Sequence, residues 1–578
     1  MSETEAEDPV GAGLRASVQR FGGVALFSGV VNLLMLSGSI YMLQVYDRVI
    51  PSRSVGTLLG LSGLALAAYL AQAYFDALRA RMLARSAALF DVSLQEPIHR
   101  ALASLPLRGV RPIVAQQPLR DLDQIRAFLA GMGPTAFLDM PWTPIFLIAL
   151  FVFHPVIGAV ALLGGAVLVA MTLITERQSR APALAATERA AQRQVLADAT
   201  RVNAEAIRAL GMTRRLTARW SAINEHFLEE NLRAMDVQAN LGAVAKMLRF
   251  VLQSAMLGVG AFLVVNEQAS GGVMIASSIM MGRALAPVEV ALGTWRQMVA
   301  ARQAVSRLRD ILRATTSVTS ALRLPAPTRE LAVEALAVGP PGTGRATVSG
   351  VSFSLHAGMG LALLGPSASG KSTLAKALVG LWPALGGAVR LDGAALDQWA
   401  PDDLGRSLGY LPQDVALFDG TVAENIARFD ESATPEQIID AANVAGAHEM
   451  ILRLPQGYAT RIGEGGASLS AGQRQRIGLA RAIFGEPFLV VLDEPNANLD
   501  AAGEAALTGA ILALRKRNCI VVVVSHRPNA LQALDMTMVL VDGRMQAFGP
   551  RDQVLGALAR AHAAAQGAVS DMAQRGAA

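Results

Sequence analysis

Phe21 to Tyr46 is a run of 26 residues without a charged side chain, longer than the roughly 20 that a helix needs to cross about 30 Å of hydrocarbon. A stretch of that kind has few folded solutions in water, so part of the chain belongs in a lipid bilayer. The feature recurs. Asp47 to Arg53 makes a short turn around Pro51, and Ser54 to Phe75 is again uncharged and long enough to cross. The 36 residues from Met140 to Thr175 carry no formal charge and are divided by His154-Pro155. They are slightly short for two spans, so the third is expected to start near Ala130 and to carry Asp139 close to the inner boundary. Phe250 to Asn266 and Gly271 to about Val290 give a fifth and sixth span. Composition agrees: 52% of residues are apolar and only 17% charged, against about a quarter charged in soluble domains, and the mean hydropathy is +0.38.

Two arginine-rich excursions, Asp76 to Arg126 and Glu176 to Arg249, separate these hairpins, and the positive-inside bias puts them and both chain ends in the cytoplasm. Each has the length of two helices that continue the spans, joined by a short crossing segment. Leu105 to Gln117 and Ala206 to Trp220 are the candidates for those crossings. The net charge of +5 and pI near 9.6 are explained by this topology, and no nucleic acid is expected. Residues 1–20 lack a secretory signal; Val10 to Arg20 reads as a short interfacial helix or a disordered tail. Arg283 and Glu289 interrupt the sixth span, as a mutual ion pair or as part of a path. Met274, Met280 and Met281 read as packing, and His154 as a loop residue. The lone Cys519 excludes a disulfide framework and reads as a core thiol.

The second half is different in kind. Residues 316–329, with Leu324-Pro325-Ala326-Pro327, read as a linker from the membrane domain (21–315) to a soluble domain (330–558), followed by a tail (559–578). In that domain Gly365-Pro366-Ser367-Ala368-Ser369-Gly370-Lys371-Ser372-Thr373 fits G-x-x-x-x-G-K-[ST], between a strand (Gly360 to Leu364) and a helix (Leu374 to Leu381). Strand, glycine turn and helix N-terminus aim backbone N–H groups and the positive end of a helix dipole at one point, where phosphates bind. Lys371 would reach the β/γ-phosphates of ATP and Ser372 would hold Mg²⁺. Downstream, Leu469-Ser470-Ala471-Gly472-Gln473 opens a helix, and the apolar strand Phe488 to Leu492 ends in Asp493-Glu494. Two carboxylates beside a phosphate loop supply a metal-holding acid and a base for water.

These ordered motifs resemble the ATP-binding-cassette (ABC) ATPases, which implies an all-α six-helix membrane domain followed by an α/β P-loop domain. The resemblance implies roles: Asp493 and Gln413 near Mg²⁺, Glu494 polarising the attacking water, and His526 on the γ-phosphate. Gln413 would also link nucleotide occupancy to the membrane helices. Ser470, Gly472 and Gln473 would meet the γ-phosphate bound to the opposite ATPase domain, with Asp500 in the loop that crosses the interface. One ATPase domain and six spans are half of what the family uses, so a homodimer with two sandwiched ATP molecules is implied. Two departures stand out: Ala471 replaces the commoner glycine, and Pro340 falls where an aromatic usually stacks on adenine.

Particular stretches are similar to the type I protein-secretion ATPases of the protease-exporter (PrtD-like) kind: MLQVYDRVIPS at 42–52, SSIMMGRALAPVE at 277–289, GPPG at 339–342 and GYLPQDVALFDGTVAENIARF at 409–429. That resemblance implies a bacterial inner-membrane exporter of unfolded proteins carrying a C-terminal signal, working with a periplasmic membrane-fusion adaptor and a TolC-like outer-membrane channel. The short stretch ahead of the first span leads to the expectation that no peptidase-like domain is present, so that membrane helices or the ATPase recognise the cargo. A multidrug or lipid exporter on the same scaffold, and a nucleotide-gated regulator without transport, are the alternative readings.

Overall fold

The computed structural model describes residues 8–109, 117–316, 324–525 and 531–560. Two compact units emerge, one of membrane helices and one of sheets and short helices, and the second also takes in the single 3-10 turn Pro106–Arg108.

The helical unit runs α1 (Pro9–Gln44), α2 (Val55–Ser104), α3 (Gln117–Ala130), α4 (Gly133–Asp139), α5 (Thr143–Phe153), α6 (Pro155–Val202), α7 (Ala204–Ala209), α8 (Thr213–Val265) and α9 (Gly271–Thr316). Six helical segments among the described residues are long and apolar enough to cross a membrane, the third being Gly133–Phe153. The backbone of residues 9–20 continues into the first span as one helix, so the reading of this stretch as a disordered tail fails. His154 is the one-residue break between α5 and α6, as read from the sequence, and also caps α6: its Nδ1 accepts from the Val156 amide at 3.2 Å. The second crossing segment is shorter than expected. It is confined to α7, because Gly211 turns in the left-handed region (φ +63°) and α8 starts at Thr213.

Phe146, Leu150, Ile157, Met256, Met280 and Met281 pack into one buried cluster of the spans. A second, formed by Phe90, Leu94, Ile98, Leu122, Ile125 and Leu308, holds the inner extensions together. Large apolar side chains on the outside, such as Leu59 (69% exposed) and Leu64 (70% exposed), suit lipid contact. Several polar groups inside the spans are paired, as the scarcity of water favours, while the Ser39 hydroxyl is buried without a partner. The Asp139 carboxylate accepts from Arg79 Nη1 at 2.9 and 3.0 Å and from Asn32 Nδ2 at 2.7 Å, and Ser28 Oγ donates to it as well. Glu289 pairs with Arg249 Nη1 at 3.2 Å, not with Arg283. Six residues along a helix turn through about 600°, which puts positions 283 and 289 on widely separated faces of α9. At the far end of the spans, Asp47 sits in a single π-helical turn, Val45–Val49, that follows α1. Its carboxylate accepts from Ser270 Oγ at 2.6 Å and from the Gly272 amide at 2.9 Å, capping α9.

The second unit holds two sheets. The six-stranded one has the order β10-β9-β3-β8-β7-β6, with β3 (Gly360–Leu364), β6 (Leu408–Leu411), β7 (Leu489–Asp493), β8 (Ile520–Val524) and β9 (Met536–Val541) parallel and β10 (Arg544–Pro550) antiparallel. Strands β3, β7 and β8 are almost wholly buried, as expected of apolar runs covered on both faces. A four-stranded sheet, β2-β1-β4-β5, is built from β1 (Glu330–Val338), β2 (Val348–His356), β4 (Gly386–Leu391) and β5 (Ala394–Ala395). Helices α10 (Lys371–Leu378), α11 (Val422–Ile426), α12 (Pro435–Val444), α13 (Ala471–Ile483) and α14 (Ala501–Lys516) complete the elements used below. Cys519 is buried, and that burial pushes its thiol up to about 12, so it is an inert core group.

Candidate nucleotide site

Parallel strands present their carboxyl ends on one edge, and ligands of open α/β sheets bind there. Here β3 delivers 365–373, β6 leads to Gln413, β7 ends at Asp493 and β8 runs into Ser525. His526 lies outside the described residues.

The phosphate loop is shaped by backbone geometry. Gly365 has φ +150°, and a Cβ there would fall 2.0 Å from the Leu540 carbonyl oxygen; Gly370 has φ +99°, and a Cβ would meet Val348 Cγ2 at 2.6 Å. Pro366, Ser367 and Ala368 form the exposed rim, and Ser369 is buried with its hydroxyl unpartnered. Lys371, 6% exposed, folds over the loop and donates to the carbonyls of Gly365 and Pro366 at 2.9 and 2.7 Å. Ser372 and Thr373 follow in the first turn of α10.

Ser372 Oγ donates to Asp493 Oδ1 at 3.1 Å, and Gln413 Nε2 donates to Glu494 Oε2 at 3.2 Å. Four of the residues picked out by sequence therefore converge. Glu494 turns away from its strand in the left-handed region (φ +49°), while its amide still donates to the Val524 carbonyl at 3.0 Å. Burial pushes the Asp493 carboxyl above the ordinary range, helped by neighbouring Glu494 and opposed by the Ser372 hydrogen bond. Burial pushes the Lys371 ammonium down, against the opposing pull of Glu494 and Asp493. Tyr410, buried near Asp493, is raised to about 12.

Signature helix α13 begins with a reciprocal cap: Ser470 Oγ accepts from the Gln473 amide at 3.3 Å and Gln473 Oε1 accepts from the Ser470 amide at 2.8 Å, which leaves Gly472 in a first turn suited to an anion. Asp500 caps α14 through the Gly503 amide at 2.8 Å and pairs with Arg476 at 2.7 Å, so within this chain its carboxylate serves the helix.

Sequence reasoning missed three residues that tie this helix down. Gln475 Nε2 donates to the Pro495 carbonyl at 3.0 Å, and Arg481 Nη1 to the Ala416 carbonyl at 3.0 Å, in the loop that follows Gln413. Arg428 donates to four carbonyls, those of Arg481, Gly405, Leu408 and Ala482, at 2.8 to 3.1 Å. Burial lowers its guanidinium to about 10. A helix C-terminus leaves orphan carbonyls and an arginine is a natural donor to them, but nothing local in the sequence says which arginine arrives.

The loop 339–342 has Pro340 exposed, at the position where an aromatic usually stacks on adenine in the family. Its Pro341 carbonyl oxygen lies 2.4 Å from where a Cβ on Gly109 would stand (φ +81°). The described part of the first crossing segment, residues 106–109, thus rests on the soluble unit against the GPPG loop.

Six spans joined to a P-loop domain with a signature helix define an ATP-binding-cassette transporter. Residues 22–285 match the model of the ABC transporter transmembrane region and residues 348–497 that of the ABC transporter. The type I secretion system ATP-binding protein PrsD of Rhizobium meliloti is 52% identical over 553 residues, 96% of this chain and 95% of that protein. The exotoxin translocation ATP-binding protein PaxB of Pasteurella aerogenes is 28% identical, with 92% of this chain and 75% of that protein covered. Among solved structures, a bacterial Atm1-family ABC exporter with ATP bound matches with a TM-score of 0.82 at 21% identity, covering 93% of this chain and 96% of that one. The chain belongs to the type I secretion family of ABC transporters: a multi-pass membrane protein that binds ATP and couples its hydrolysis to transport.

Proposed function

We propose that the protein exports unfolded polypeptides bearing a C-terminal signal across the bacterial inner membrane, as a homodimer that hydrolyses ATP at two composite sites. The 52% identity to a type I secretion protein over almost the full chain carries this reading. A periplasmic membrane-fusion adaptor and a TolC-like channel would complete the route, and the ATPase domain would face the cytoplasm.

The site's donors fit magnesium. Among the described residues no cluster of three or more His, Cys, Asp or Glu exists; a hydroxyl, a carboxylate and an amide oxygen from Ser372, Asp493 and Gln413 are the hard oxygen donors that Mg²⁺ takes beside phosphate. When bound, the ion neutralises charge on the β/γ-phosphates. Asp493 is buried and needs a cation to stay ionised. Lys371 would swing from its two carbonyls onto phosphate, and the unpartnered Ser369 hydroxyl supplies a further donor in the cradle. Glu494, oriented by Gln413, would polarise water. His526 is assigned to the γ-phosphate. Ser470, Gly472 and Gln473 would complete the site of the second copy, with Asp500 at the crossing loop. In support of a second copy, α7 is flanked by exposed apolar side chains, Val202 and Leu210, both 73% exposed.

The test uses the full chain in nanodiscs. A C-terminal peptide of a candidate cargo should stimulate ATP turnover and lipophilic drugs should not. The reverse pattern would show a drug or lipid exporter, and a protein that binds ATP without turnover would be a regulator.

A further inference from the structure

The stretches of α6 and α9 around Arg180 and Arg296 line an open recess of about 930 Å³. Its wall carries Arg180 from α6 and Arg296 and Arg302 from α9, with Gln297 and Gln303 between them, and no carboxylate lines it among the described residues. Three other arginines on or beside α9 are matched: Arg307 pairs with Asp121, Arg309 with Asp8 and Arg249 with Glu289. None of the three around the cavity has a carboxylate partner among the described residues. Trp295, in the same wall, has its indole N–H buried without an acceptor. Three like charges around one recess, Arg180 and Arg302 exposed and Arg296 half-buried, repel one another and make its potential positive, an arrangement that an anion with several acceptor oxygens relieves. Past Gly293 the cavity adjoins a second one of about 360 Å³, whose wall carries Lys246 and the charge-compensated Arg249–Glu289 pair.

We propose that this recess binds an acidic, unstructured segment of the exported polypeptide, an assignment that rests on the export reading above. Guanidinium forks hold carboxylates bidentately, the glutamines offer donors to a peptide backbone, and the recess is within the usual size of a ligand pocket.

The experiment uses the full-length protein in phosphatidylcholine nanodiscs and a fluorescent glutamate/serine peptide, with a glycine/serine peptide as control. The acidic peptide should bind at least about tenfold more tightly than the control, and added salt should weaken it. In R180Q/R296Q/R302Q that preference should disappear, while ATP turnover without peptide stays at the wild-type level. Equal binding of the two peptides by wild type, or undiminished acidic-peptide binding by the triple variant, would overturn the proposal. So would a triple variant that loses labelled phosphatidylglycerol yet keeps the peptide, since the recess would then belong to lipid. If wild type binds the acidic peptide but proteoliposomes move no cargo, the export reading fails and the recess stands; intact cargo movement by the triple variant with unchanged binding sinks the recess alone.

Discussion

Gln413 Nε2 stands 3.2 Å from Glu494 Oε2, a hydrogen bond between the loop after β6 and the residue after β7. It joins the group proposed to polarise water to the loop proposed to sense nucleotide. Glu494→Gln should therefore still bind ATP while turnover falls by about a hundredfold or more. Gln413→Ala should lower turnover less, by roughly tenfold, and weaken its stimulation by cargo. Phosphate release and filter-bound nucleotide, measured on the same nanodiscs, separate the two effects.

The raised carboxyl of Asp493 has a direction of its own in the nucleotide-free protein. A group whose folded pKa lies above its unfolded value contributes stability at low pH and loses it as pH rises through the folded value. Asp493→Asn removes that liability, so its unfolding midpoint should exceed wild type by about 2–4 °C at pH 8, with the gap closing toward pH 4. A constant gap across that range would disprove the charge argument. Adding MgATP should reverse the order, stabilising wild type more.

Arg428 is the hub between the start of β6 and the end of the signature helix. Truncation to alanine strands up to four carbonyls and should destabilise the protein by about 2–4 kcal/mol. Arg428→Lys keeps a charge but not the planar fork, and should recover less than half of that. Denaturation followed by the ATPase signal at matched lipid composition reads both.

Within the spans, Arg79 is 8% exposed and held by Asp139. Asp139→Leu should destabilise by less than the roughly 3–5 kcal/mol of a fully orphaned buried charge, because Arg79 keeps its 2.6 Å contact with the more exposed Asp76, and Arg79→Met combined with Asp139→Leu should recover most of the loss. Thermal unfolding of the two variants in one detergent is the comparison.

The phosphate loop, the paired carboxylates and the signature cap are local: a few consecutive residues carry both the turn chemistry and the function, so reading them in order sufficed. The six spans were legible for a similar reason, since an uncharged run long enough to cross hydrocarbon is most stable in lipid. What stayed hidden depends on distant partners. Glu289 could be seen as needing a cation, but only the packing of α8 against α9 brings Arg249 rather than Arg283. Asp139 was seen near the boundary, while its partners come from α1 and α2. Arg428 lies in a stretch picked out only by similarity, and its four carbonyls become neighbours only once β6 and α13 meet. Asp47 likewise was read as the start of a short turn, more than two hundred residues from the Ser270 hydroxyl and the Gly272 amide that it accepts from.

That cap makes the outermost turns of the first and last spans behave as a hasp and its staple. Prising them apart would leave the Gly272 N–H and the Ser270 hydroxyl without their acceptor, so any movement that widens the exit on this side starts against a restoring pull. Swapping Asp47 for alanine takes the pin out.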